Sequence, residues 1–181
     1  VVPDPPNSAR FGYDGETLIA GLPQPNPWTD SWIEFFAEHR VRHMARLACD
    51  AGALPASVSA RIDRLCERLE EWLYEPPAPS LIHGDVWTGN VLPSPDGHSV
   101  GAFIDPAISF AHAELELAFT TLFSTFSDAF YARYAEIRPI EPGFFELRRD
   151  LYNLYPLLVH VRLFGAGYLA GIERTLSRLL G

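Results

Sequence analysis

The segment SLIHGDVWTGNVL, residues 80–92, sets His83, Asp85 and Asn90 around a glycine-flanked turn between two apolar runs. Asp105 follows a little further on. A carboxylate, an amide and a second carboxylate in that order suit one kind of chemistry. The first carboxylate can accept a proton from a hydroxyl group. The amide oxygen and the second carboxylate can hold Mg²⁺, a hard cation that takes oxygen ligands. Phosphoryl transfer needs little more than such positioning and charge neutralisation. Asp85 is therefore the candidate base, and Asn90 and Asp105 are the candidate metal ligands. The Asp85-to-Asn90 spacing equals that of the protein-kinase catalytic loop, H-R-D-x-x-x-x-N. His83 would tie the loop down by hydrogen bonds rather than react. Gly84 and Gly89 would permit bends that a Cβ hinders. His-Gly-Asp alone is common in turns. The specific signal is the ordered set of H-G-D-x-x-x-x-N, an apolar strand, a turn, a second apolar strand and Asp.

These residues need elements to position them. Val91-Leu92, a Pro-Asp-Gly turn and residues 100–104 read as a hairpin that would return Asp105 to Asn90. Leu81-Ile82 is the apolar lead into the loop. Upstream, residues 1–30 are rich in proline, glycine and asparagine and read as irregular, with a short hairpin at Asp14-Gly15. Ser31 and Glu34 form a capping-box pair that opens a helix ending at Gly52. A second amphipathic helix is expected from Ser57 to Leu73. After Asp105 the chain reads as helical to its end, with Pro156 as a kink or break. Phe144, Phe145, Leu147, Leu151 and Leu154 form a core stripe, and Trp28 and Trp32 read as helix-entry packing.

The totals exclude several classes. The chain has 181 residues and a net charge of −9. That charge is wrong for nucleic acid, which demands a basic face, and for an anionic membrane surface. No apolar run reaches bilayer length, and the start lacks the pattern of an export signal, so a cytoplasmic protein is expected. Cys49 and Cys66 match no zinc or redox spacing and read as ordinary thiols. All 14 basic residues are arginine. A lysine contact to nucleotide phosphates is thus not available from these residues.

HGDVWTGN closely resembles the HGDLWSGN-type signature of fructosamine kinases, relatives of the aminoglycoside phosphotransferases. Trp87 favours that family over aminoglycoside or choline kinases. The likeness extends from Phe11 onward, through FIDPAISF, similar to the family's metal-binding turn, to the helices around LYNLYPLLVHVRLFGAGY. The resemblance implies a protein-kinase-like fold, ATP as co-substrate, Mg²⁺ as cofactor, and phosphorylation of a sugar 3-hydroxyl on ketosamines. Acceptors would be small-molecule ketosamines or glycated protein lysines, and Trp87 could meet the protonated amine by cation–π contact. Two departures fall behind the metal position. The family's Gly-[His/Asp]-Arg-Glu-x-Asp-Leu is AHAELEL here, so Glu114 matches as a supporting residue, Ala113 replaces arginine and Glu116 replaces aspartate. LFST stands where Leu-Phe-Gly-Gly is common.

The expected fold is mainly α with a small β-hairpin element, the C-terminal lobe of a protein-kinase-like α+β fold with its N-lobe absent. Residues 1–30 would be an irregular hinge remnant and residues 31–181 the helical lobe carrying the catalytic loop. A face left uncovered by the N-lobe would favour self-association. Two other readings stay open: a non-catalytic lobe or interaction module, and an aminoglycoside- or choline-type small-molecule kinase.

Overall fold

The computed structural model describes residues 10–181. The reading of the first residues as lacking an export signal, and as irregular, lies outside that range. The described part of the segment up to residue 30 is more ordered than expected. Strands β1 (Thr17–Ile19) and β2 (Leu22–Gln24) pair antiparallel. Their turn is Ala20-Gly21, with φ of 48° and 81°, rather than Asp14-Gly15. Positive φ at both turn residues matches the twist of the flanking strands. Asp14-Gly15 is instead a bend, and the Gly15 carbonyl accepts a hydrogen bond from the Asn26 amide at 3.0 Å.

Helix α1 (Trp32–Phe36) continues through π-helical turns, Ala37–Arg42, into α2 (His43–Asp50). Ser31 caps it as expected, its Oγ accepting the Glu34 N–H at 3.1 Å. The reciprocal bond of a capping box, from the Ser31 N–H to the Glu34 carboxylate, is not seen among the described residues, and a second acid adds to the cap instead. The Glu75 carboxylate accepts from Ser31 Oγ at 2.6 Å and from the Trp32 and Ile33 N–H groups at 2.6 and 3.1 Å. A distant acid thus satisfies two of the free amides of the first turn and complements the helix dipole. Helix α3 (Ala56–Cys66) stops short of Leu73. A 3₁₀ turn, Leu69–Glu71, carries the chain on while Leu69 and Leu73 stay buried.

The next four strands form two nested antiparallel pairs. Strand β3 (Ser80–Ile82) pairs with β6 (Ser109–Ala111), and between them in sequence β4 (Val91–Pro93) pairs with β5 (Val100–Phe103). The expected hairpin is present, with Val91 opposite Phe103. The expectation of continuous helix after Asp105 is corrected by β6. Its three residues are buried and complete the pairing of β3, with Ser80 opposite Ala111.

Helices α4 (Ala113–Leu122), α5 (Asp128–Ile137), α6 (Arg149–Tyr152), α7 (Leu154–Phe164) and α8 (Leu169–Leu180) follow. Pro156 marks the expected break: it has no N–H for the carbonyl of Tyr152, four residues back, and α6 ends at Tyr152. It sits in the first turn of α7, where its missing N–H removes no intrahelical bond. The break falls at Asn153. Helix α2 packs on α7, α3 on α8, and α4 on α6. Trp32 is fully buried and its Nε1 donates to Tyr152 Oη at 3.1 Å. Phe144, Leu151 and Leu154 are buried as the stripe predicts, whereas Phe145 is exposed. Cys49 and Cys66 are both free thiols. Among the described residues no helix is long and apolar enough to cross a membrane.

The Glu75 cap is testable. Glu75→Ala should destabilise the fold by about 1 kcal/mol, the range of an exposed helix cap, measured by urea denaturation. A loss no larger than that of a surface substitution at Glu70 would show that Ser31 caps the helix unaided.

Candidate active site

The nested pairs place two loops side by side. One, residues 83–90, joins β3 to β4. The other, residues 104–108, joins β5 to β6. The Ile104 N–H donates to the Asn90 carbonyl at 3.0 Å, closing the open end of the β4–β5 hairpin. Gly84 packs so tightly on the second loop that a Cβ there would lie 2.3 Å from the Ala107 carbonyl oxygen, and its φ is 82°. No other residue fits that position without moving backbone. Asp105 also has a positive φ, 55°. A non-glycine residue is held there only where its surroundings over-determine it.

Asn90 is buried at the end of a 3₁₀ turn, Thr88–Asn90. Its amide nitrogen donates to the Asp85 carbonyl and to Asp85 Oδ2, both at 2.9 Å. Both amide protons are thereby committed to Asp85, and the side-chain oxygen remains as an acceptor or ligand. Asp85, Asn90 and Asp105 line one open cavity of about 630 Å³, with Trp87, Pro106 and the β1–β2 turn. Asp85 is pushed up to about 6. Burial is the main cause, the Asn90 amide opposes it, and the negative charge of Asp105 adds to it.

This donor set fits a magnesium ion. Asp85, Asn90 and Asp105 line one solvent-open cavity, and Mg²⁺ typically takes one or two carboxylates and completes its shell from phosphate and water. Asn90 and Asp105 could hold such an ion. Among the described residues no group of three His, Cys, Asp or Glu side chains forms a self-sufficient metal cage.

His83 holds the loop from within. Its Nδ1 accepts the Asp85 N–H at 3.3 Å, and burial lowers its pKa, so the ring is neutral. Trp87 lies across Gly89, where a Cβ would come within 2.4 Å of its ring, and it meets Phe123 edge-on. The sequence reading placed the support behind the loop on Glu114; the structure gives that contact to Glu116. Glu114 is buried and spends both oxygens on Arg148, at 2.7 and 2.6 Å. Glu116 Oε2 accepts the Gly84 N–H at 2.9 Å. Burial pushes Glu116 up to about 7, against the pull of the loop amides.

Sequence reasoning missed two further supports. Gln24, at the end of β2, is buried and donates to the Ala107 carbonyl at 3.0 Å while accepting from Tyr155 Oη at 2.6 Å. Arg40 is 1% exposed, and its guanidinium donates to the Pro25 carbonyl, Asn26 Oδ1 and Ser109 Oγ. Burial lowers it to about 10, so it stays cationic near neutral pH. Gln24 follows a proline in a stretch that reads as loop, and nothing in its neighbours signals burial. Arg40 offered one weak signal, a charge on the helix beside the apolar positions Phe36 and Val41.

A family profile described as fructosamine kinase matches residues 5–181. A probable ketoamine kinase of Synechocystis is 42% identical over 176 residues, covering 96% of this chain and 57% of that protein. A chloroplastic protein-ribulosamine 3-kinase of Oryza sativa subsp. indica is 38% identical over 160 residues, 87% of this chain and 45% of that protein. The crystal structure of a candidate fructosamine-3-kinase from Thermobifida fusca superposes with a TM-score of 0.85 at 36% identity, covering 96% of this chain and 59% of that one. The chain therefore spans roughly half the length of these relatives.

The raised Asp85 sets a pH dependence. A carboxyl group whose folded pKa lies above its unfolded value binds more protons in the native state. Its contribution is present at low pH and is lost as pH rises from 3.8 to about 6. Asp85→Asn keeps the shape without the charge. The variant should be more stable than the parent above pH 6, with the gap closing toward pH 4, as followed by thermal melts. A gap independent of pH would show that Asp85 does not titrate as argued.

Proposed function

The chain belongs to the fructosamine kinase family, and on that premise we propose that it carries the phosphoryl-transfer site of an ATP-dependent ketosamine kinase. The observation that supports this most is the bonding of Asn90 to Asp85 in the same cavity as Asp105. Asp85 accepts the proton of the sugar hydroxyl. Its raised pKa brings it closer to the working pH, which suits a general base. Asn90 fixes the direction of the Asp85 carboxylate through one side-chain bond and one bond to its carbonyl. With Mg²⁺ bound, Asn90 and Asp105 would be its protein ligands, and the ion would neutralise phosphate charge. His83, Gly84, Gly89 and Glu116 hold the loop in place. Trp87, 39% exposed at the cavity edge, presents a ring face to the acceptor or its protonated amine.

The acceptor class in this reading is a ketosamine, either a small molecule or a glycated protein lysine. The wall opposite the cavity belongs to the part of the longer relatives that these residues do not match. Supporting this, Leu18, Leu92, Val100 and Phe103 on the two hairpins are each at least 42% exposed, and the chain offers no lysine to the phosphates.

Two measurements test the proposal. With the complete gene product, Mg-ATP and a fructosyl-amine, Asp85→Ala should lower turnover by about 10²-fold or more, as read by ADP release. Retained turnover removes Asp85 from the role of base, and no turnover by the parent protein favours an interaction module instead. For the 181-residue chain alone, calorimetry with Mg-ATP should show no tight binding, because an open cleft leaves the phosphate contacts screened by water. Light scattering on the same sample should show association. Micromolar affinity in a monodisperse monomer would refute the open-cleft account.

A further inference from the structure

A strip of rings leads away from the cavity that Asp85 lines. It starts at Trp87, on the cavity edge. Trp87 meets Phe123 edge-on, with ring centroids 5.9 Å apart, and Phe123 lies 4.9 Å from His160. His160 in turn lies 5.5 Å from Phe164 and 4.8 Å from Tyr168. Local structure explains the row. His160 and Phe164 are four residues apart on α7 and so share one face. Gly165, with a φ of 84°, ends that helix directly after Phe164. A 3₁₀ turn, Ala166–Tyr168, then folds Tyr168 back onto His160. Phe123 caps the C-terminal end of α4.

None of the five rings is sealed in the core. Trp87 is 39% exposed and Phe164 67% exposed, and Phe123, His160 and Tyr168 are half-buried. Contiguous apolar surface that opens onto a polar cavity marks a contact site. One polar atom sits within the strip. His160 Nδ1–H donates to the Pro156 carbonyl at 2.7 Å, which leaves Nε2 as the ring's acceptor. Burial lowers the His160 pKa, so the ring is neutral near pH 7. Among the described residues Nε2 has no partner, and it keeps access to solvent.

We propose that this strip is the subsite for the group carried on the acceptor's amine, with Phe164 and Tyr168 as specificity-determining residues and His160 Nε2 as the hydrogen-bond acceptor. The inference rests on the kinase reading above. With the sugar at Asp85 and its amine at Trp87, the substituent extends outward over Phe123 and His160. An aromatic substituent gains from burying its own area and from ring–ring geometry. A short alkyl group ends before the strip begins.

The test uses the complete gene product with Mg-ATP and three acceptors, the fructosyl derivatives of ethylamine, phenethylamine and tyramine. The tyramine hydroxyl lies roughly 8 Å from the amine, far enough to pass Phe123. The parent should favour phenethylamine over ethylamine by about tenfold in kcat/KM, mostly through KM, because the substituent does not react. Tyramine should gain about threefold more from its O–H. Ratios between acceptors are read within each variant, so they do not depend on how much of it folds. Phe164→Ser and Tyr168→Leu should each cut the phenethylamine preference at least about threefold. His160→Phe keeps a ring without the acceptor and should erase only the tyramine gain. Ile137→Ser, at a 74% exposed position outside the strip, should keep both ratios. No turnover of any acceptor by the parent overturns the kinase reading and this subsite together. Turnover with ethylamine equal to phenethylamine overturns the subsite alone, as does an unchanged preference in both Phe164→Ser and Tyr168→Leu. A tyramine gain that survives in His160→Phe removes Nε2 from its role.

Discussion

The close approach of Gly84 to the Ala107 carbonyl is the constraint on which the site depends. It exists because one antiparallel pair is nested inside another. The outer pair, β3 with β6, brings the two connecting loops to the same place. The inner pair, β4 with β5, returns the chain so that Asp105 ends beside Asn90. Backbone pairing carries no chemistry, yet it fixes the separation of the three polar side chains. A Cβ at Gly84 would push the loops apart, and the shared cavity would open with them.

The loops are then held from three directions by buried polar groups. Glu116 reaches from α4 to the Gly84 N–H, Gln24 reaches from β2 to the Ala107 carbonyl, and Tyr155 on α7 bonds Gln24 from behind. Arg40 ties the segment after β2 to β6. Each of these contacts replaces water that the interior excludes, so each must be made or the buried group is left costly and unpaired. The apolar core, centred on Trp32, Phe36 and Tyr152, gives these polar groups a fixed frame. Within that frame a strained residue such as Asp105 can keep a left-handed backbone.

Glu116, in the first turn of α4, is long enough for its carboxylate to reach the loop amide of Gly84.

Much of the fold was legible in residue order because its signals are local. Ser31 as a cap, Gly52 as a stop, the hairpin ahead of Asp105 and the helical spacing of α4 and α5 all depend on neighbours within a few positions. The kinase-like loop was legible for the same reason, since Asp85 and Asn90 are five residues apart. The errors came where a partner is distant or a local signal is ambiguous. The strand β6 needs β3 to exist, and Glu75 caps a helix 43 residues earlier in the chain. The resemblance carried by HGDVWTGN pointed to the family that the profile match bears out. Folding alone decided which buried groups hold the loop, Glu116 rather than Glu114, together with Gln24 and Tyr155, because hydrogen bonds across a core join positions whose separation in sequence carries no periodic or turn signal.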